Sequence, residues 1–193
     1  MRIVGGVHKG RALATPRDNR VRPTSDRTRE AIFNVLAHAG LAGDGGDPFE
    51  LEGARVLDMF AGTGALGLEA LSRGAAFALF VEEHVESRGL IRDNIEAMGL
   101  TGTAKIYRRD ATRMGERPAS AGSPFNLLFA DPPYGKGLAE RALASARDGG
   151  WLAPGALCLV EEAASSDFTA PEGFVELDRR RYGETAVAFL RLA

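Results

Sequence analysis

The chain has 193 residues, 45% of them hydrophobic and 26% charged, with a formal net charge of −2. That length and balance exclude an intrinsically disordered chain and suit one domain with a substantial core. One cysteine, Cys158, and three histidines exclude an internal disulfide and spell no metal cluster, and no apolar run approaches membrane-spanning length.

The start, MRIVGGVHKGR, lacks the apolar core of a signal peptide, so a cytoplasmic protein is expected. Residues 1–29 hold eight basic groups, Arg2, Lys9, Arg11, Arg17, Arg20, Arg22, Arg27 and Arg29, against two acids. A basic arm on an acidic body points to a polyanionic partner met through the arm. Thr24-Ser25-Asp26 is a cluster of N-cap residues behind Pro23, and Ile32, Val35, Leu36 and Ala39 recur at helical spacing, which predicts a helix over 26–39. Glycine-rich 40–53 reads as a linker. We therefore divide the chain into a basic extension and helix, 1–40, and a main domain, 41–193.

From Ala54 the rhythm changes. Strands are predicted at 55–60, 76–82, 104–109, 125–130 and 156–162, with helices at 65–73, 85–98 and 138–147 between them. The β-α-β-α alternation argues for a doubly wound, mostly parallel sheet. Two last strands, 174–181 and 185–192, joined by Tyr182-Gly183-Glu184, form a hairpin that brings one antiparallel strand into a seven-stranded sheet. Cys158, inside the apolar run 156–160, is expected in the core.

Gly62-Thr63-Gly64-Ala65-Leu66-Gly67 matches the dinucleotide fingerprint G-x-G-x-x-G between a strand and a helix, so NAD binding is a contender. The acids argue otherwise. Asp58 precedes the loop, Glu82 and Glu83 follow the second strand, Asp110 the third and Asp131 the fourth. Carboxylates at four successive strand ends repel a pyrophosphate and suit a ligand with cationic groups and hydroxyls. S-adenosylmethionine is such a ligand. Asp58 would face its methionine end, Glu82 its ribose hydroxyls and Asp110 its adenine amino group.

Residues 56–70, Val-Leu-Asp-Met-Phe-Ala-Gly-Thr-Gly-Ala-Leu-Gly-Leu-Glu-Ala, resemble motif I of class I methyltransferases. Asp131-Pro132-Pro133-Tyr134 resembles the catalytic motif IV of those that methylate exocyclic amines of nucleobases. Arg2-Ile3-Val4-Gly5-Gly6, Lys9-Gly10-Arg11 and Arg22-Pro23-Thr24-Ser25-Asp26-Arg27-Thr28-Arg29-Glu30 are similar to the head of bacterial 16S rRNA (guanine(966)-N(2))-methyltransferases of the RsmD type. The resemblance runs on through Gly150-Trp151-Leu152 and the terminal hairpin, over nearly the whole chain. His84 departs from it, standing where a carboxylate is expected.

The resemblance implies a class I methyltransferase, Rossmann-like fold and transfer of a methyl group from S-adenosyl-L-methionine to a guanine N2 of 16S rRNA. It implies a substrate within an assembling 30S subunit with ribosomal proteins, and a monomeric enzyme. The cofactor would be held by Asp58, Phe60, Ala61, Gly62, Thr63, Gly64, Glu82, Glu83, Asp110 and Ala111. Asp131, Pro132, Pro133 and Tyr134 would be catalytic. Asp131 and the Pro132 carbonyl each accept an amino hydrogen, and Tyr134 stacks on the base. RNA contacts are expected from Arg2, Lys9, Arg11, Arg22, Thr24, Arg27 and Arg29, with pairing to Asp26 or Glu30 as the alternative for Arg27 and Arg29. No metal and no membrane are implied. The rival readings are a DNA adenine-N6 methyltransferase, short here of a target-recognition insert, and a non-catalytic RNA-binding assembly factor on the same scaffold.

Overall fold

The computed structural model describes residues 1–16, 24–41 and 47–193. Arg17, Arg20 and Arg22 of the basic arm and part of the predicted linker lie outside them.

Seven strands and four α-helices are found among the described residues. In chain order they are α1 Asp26–His38, β1 Arg55–Met59, α2 Ala65–Ser72, β2 Phe77–Val81, α3 Val85–Ala97, β3 Ala104–Tyr107, β4 Phe125–Ala130, α4 Leu138–Asp148, β5 Leu152–Ala163, β6 Phe174–Tyr182 and β7 Thr185–Leu192. The strands form one sheet in the order β3-β2-β1-β4-β5-β7-β6. Neighbours from β3 to β5 pair parallel, and β7 runs antiparallel to both β5 and β6. The predicted architecture is therefore observed. β5 begins four residues before the predicted 156, because Leu152 pairs with Phe125 ahead of a bulge.

Side chains alternate across a strand, and here the alternation divides the core in two. Val56, Phe80, Leu127, Phe129, Leu157 and Leu159 face α1, α2 and α3. Leu57, Val81, Leu128, Ala130, Cys158 and Val160 face α4 and Trp151. Ile3, Leu13, Ile32, Phe33 and Leu36 of the N-terminal extension pack into the first of these cores. No helix among the described residues is long and apolar enough to cross a membrane.

The described part of the arm is folded down, not free. Arg2 and Ala12 form an antiparallel bridge. The Val4 N–H donates to Glu69 Oε2 (3.0 Å), the His8 N–H to Ser72 Oγ (3.0 Å) and the Ala14 N–H to Asn94 Oδ1 (2.7 Å).

Arg29 corrects an expectation. Expected at the RNA, with a surface pair to Asp26 or Glu30 as the alternative, it does pair with Asp26 but is fully buried, its guanidinium donating to Glu69 Oε2 (3.4 Å), Asp26 Oδ1 (2.9 Å), the Thr24 carbonyl (3.2 Å) and the Arg2 carbonyl. A guanidinium so enclosed cannot reach a phosphate. It ties the arm and the start of α1 to α2.

Candidate active site

Strand order reverses between β1 and β4, and ligands of open α/β sheets bind beyond the carboxyl ends there. A cavity of about 1050 Å³ opens at this place, at the upper end of the size of small-molecule and cofactor pockets. The register pairs Met59 with Ala130, so the turns that follow β1 and β4 leave the sheet side by side.

The turn after β1 is backbone-strained. Phe60 has φ 57°, the only positive φ of a non-glycine among the described residues, a state that persists where the surroundings impose it. Gly62 and Gly64 continue in the left-handed region. Gly67 is needed for space, since a Cβ there would lie 2.5 Å from the Phe80 ring.

Helix α2 has glycine at its N-cap and no side-chain cap of its own. Asp58 supplies the missing acceptor, its Oδ2 taking the Gly67 N–H at 2.9 Å. Alternation puts Asp58 on the α2 face of β1, where it is buried. Burial pushes its carboxyl up to about 8, the Glu82 charge adding to the rise and the Gly67 N–H opposing it.

Glu82, also buried, accepts the Gly62 N–H on Oε2 (2.8 Å) and the His84 N–H on Oε1 (2.9 Å). It thus links the glycine turn to the start of α3. A carboxylate has about four acceptor sites, so two are left for a ligand's hydroxyls. His84 contributes its backbone to this arrangement. Asp110 caps the short 3₁₀ turn Ala111–Arg113 through Oδ1, which accepts the Thr112 N–H and hydroxyl. Those bonds to Thr112 hold its carboxyl below the usual carboxylate range.

Beyond β4, Asp131 is half-buried and Pro132 buried, whereas Pro133 and Tyr134 are exposed. Desolvation raises the Asp131 carboxyl well above the usual carboxylate range, and the nearby charge of Glu161 raises it further. The Tyr134 hydroxyl donates to Glu161 Oε1 (3.1 Å), and burial raises its pKa.

The cavity is lined by nine of the ten predicted cofactor residues and by all four of the predicted catalytic ones. The exception is Gly64, which sits against Phe80, Leu68 and Ile91 as the N-cap of α2 and acts on the turn's shape. Of the predicted RNA contacts, Arg2, Lys9, Arg11 and Arg27 are exposed. Thr24 is buried at the cavity wall, its hydroxyl donating to Glu161 Oε2 (2.7 Å) beside Asp131 Oδ2 (3.2 Å). It faces the acids of the site, not an RNA backbone. Sequence reasoning missed Glu161. The signal was present: two acids, Glu161 and Glu162, end an otherwise apolar strand whose neighbour ends on Asp131.

Residues 1–191 match the family described as "Conserved hypothetical protein 95". The chain is 41% identical over 162 residues to the "Ribosomal RNA small subunit methyltransferase D" of Escherichia coli (strain K12), a match that covers 83% of this chain and 74% of that protein. Among solved structures, "Putative methyltransferase yhhF" from Escherichia coli superposes with a TM-score of 0.80 at 32% identity, covering all of this chain and 97% of that one. The fold extends to an RNA methyltransferase from Salinibacter ruber, solved in complex with S-adenosyl-L-homocysteine, at a TM-score of 0.62 and 13% identity over 89% of this chain and 94% of that one.

Proposed function

The chain belongs to the family of conserved hypothetical protein 95 and of the small-subunit rRNA methyltransferases D, and from that premise we propose that it methylates the exocyclic N2 of a guanine in 16S rRNA. The observation that carries the reading is Asp131-Pro132 at the mouth of β4, opening into the same cavity as the glycine turn after β1. S-adenosyl-L-methionine is the methyl donor. The donor set of the cavity fits it: buried Asp58 and Glu82 and half-buried Asp110 supply acceptors for cationic and hydroxyl groups.

When bound, the cofactor would supply an electrophilic methyl group on its sulfonium, the S–CH3 bond breaking to leave a neutral thioether as the N–C bond forms. Asp58 faces the charged amino-acid end, Glu82 the ribose and Asp110 with Ala111 the adenine. Phe60, Ala61, Gly62 and Thr63 bring backbone close to the ligand, as glycine-rich turns allow. An exocyclic amine is a weak nucleophile because its lone pair is delocalised into the ring. Ionised Asp131 and the Pro132 carbonyl accept its two hydrogens, which turns the lone pair out of the ring plane and stabilises the positive charge that develops on nitrogen. Once the N–C bond forms, the nitrogen gives a proton to Asp131, whose raised proton affinity suits it to receive one. Tyr134 offers its ring to the extracted base, a stack worth roughly 1–3 kcal/mol. Exposed Lys9, Arg11 and Arg27, with Arg2, contact phosphates and set the register of the RNA. An assembling small subunit is the expected form of the substrate.

The test is transfer of labelled methyl from S-adenosyl-L-methionine to small subunits lacking modification, followed by mapping of the labelled base. Label on guanine N2 of 16S rRNA, lost in Asp131→Ala, is the expected result. Label on adenine, or on DNA, would overturn the reading.

A further inference from the structure

Strand alternation and register carry Asp131 and Glu161 to one spot. Ala130 pairs with Val160 across β4 and β5, so the next residue of each strand stands beside the other. Both share the parity of Phe129 and Leu159, which face α1. The residue that comes to meet them is Thr24, just ahead of α1, and its carbonyl is held by buried Arg29. A hydroxyl carries one proton, and Thr24 lies 2.7 Å from Glu161 Oε2 and 3.2 Å from Asp131 Oδ2. The shorter contact takes the proton. Glu161 Oε1 meanwhile holds the Tyr134 hydroxyl (3.1 Å).

We propose that Glu161 is a positioning residue for methyl transfer, holding the Thr24 hydroxyl on one oxygen and Tyr134 on the other so that both frame Asp131. This deepens the proposed function and rests on it for the identity of the reaction. Glu161 has two effects. It fixes the Tyr134 ring, which half-exposed would otherwise swing with its loop. Its negative charge beside Asp131 makes that carboxylate a better acceptor for the proton released at nitrogen. Among the described residues, the groups facing Asp131 are Asp58 of β1, Glu161 and Glu162 of β5, the Thr24 hydroxyl and the Tyr134 hydroxyl, while Arg109, Arg113 and Arg141 stand on the cavity wall. Among the acids, Glu161 has the largest effect on Asp131.

The experiment compares full-length wild type with Glu161→Gln, which keeps the shape and removes the charge. Carbon-13 NMR of aspartate-labelled protein follows the Asp131 carboxyl against pH. Its titration is expected to move down by about one pH unit or more in the variant. On small subunits, the acid limb of kcat should move down with it, kcat at the plateau should fall ~10-fold, and the cofactor Kd should stay unchanged. A merely structural role would lower the rate at every pH and leave the limb in place. An Asp131 titration identical in the two proteins overturns the proposal. Should Glu161→Gln fail to fold, Thr24→Val against Thr24→Ser serves instead. Serine restores the rate and valine does not if the hydroxyl bridge matters, and equal rates overturn it. A wild type that places no methyl on guanine refutes the proposed function, while the NMR titration still decides the role of Glu161.

Discussion

Under the proposed function, Asp58 sets a pH dependence on cofactor binding. Its carboxyl is buried, bonded by one N–H and pushed up to about 8. At pH 7 it is therefore mostly neutral. A cationic ligand favours the ionised form, so binding must expel the proton. With a carboxyl near 8, the cost at pH 7 is about 11-fold in affinity, or about 1.4 kcal/mol, and the proton released per ligand is about 0.9. Between pH 6 and pH 9 the Kd should tighten ~90-fold from this group alone. The sign follows from the raised value: affinity rises with pH and levels off above about 8. Titration calorimetry in two buffers of different ionisation enthalpy counts the proton directly. Asp58→Asn is the reference. Its amide oxygen still accepts the Gly67 N–H, and the ligand's own amine titrates equally in both proteins. The reasoning is refuted if wild type and Asp58→Asn share one pH slope, or if neither releases a proton at pH 7.

Two further outcomes separate structural arginines from RNA-binding ones. Arg29→Ala should destabilise the fold by about 3–5 kcal/mol, as expected for breaking a buried ion pair, and urea unfolding measures it; a loss under 1 kcal/mol would show the pair to be expendable. Charge removal at exposed Lys9, Arg11 or Arg27 should each lower the salt slope of rRNA binding by about 0.7–0.9 with the melting temperature little changed. Unchanged slopes in all three would move the RNA interface away from the arm.

The element order was readable because hydrophobic period and glycine punctuation agree along residues 54–193, and each strand end carried its acid in plain view. Asp58, Glu82, Asp110 and Asp131 of the candidate site followed from the same rule that ligands sit at the carboxyl ends of the strands. Arg29 was misread for a physical reason. The pair with Asp26 (2.9 Å) was the alternative reading, but its buried partner Glu69 lies 40 residues away, and a charged residue on a helix looks solvated until the helix is docked. Thr24 was misread likewise, as part of a basic arm, since the acids it meets lie 107 and 137 residues further on. Glu161 was passed over although acids close its strand as well, because the sequence does not say which neighbouring strand end such an acid faces. Only the pairing of β4 with β5, in register, brings the two carboxyls together.

The docked arm has a consequence for the order of folding. The N-terminal residues are synthesised first, yet Val4 bonds Glu69 and Ala14 bonds Asn94, separations of 65 and 80 residues. Closing such long loops is costly until their far ends are fixed. The arm must therefore wait for α2 and α3, and Thr24, held through Arg29, waits with it. Pulse-labelled hydrogen exchange should find the Val4 and Ala14 amides protected after those of β1 and β4, and simultaneous protection would contradict this. A half-folded chain then has neither a closed cavity wall nor an ordered basic surface, so the two surfaces assigned to RNA and to the reaction under the proposed function arise together, in the last step of folding.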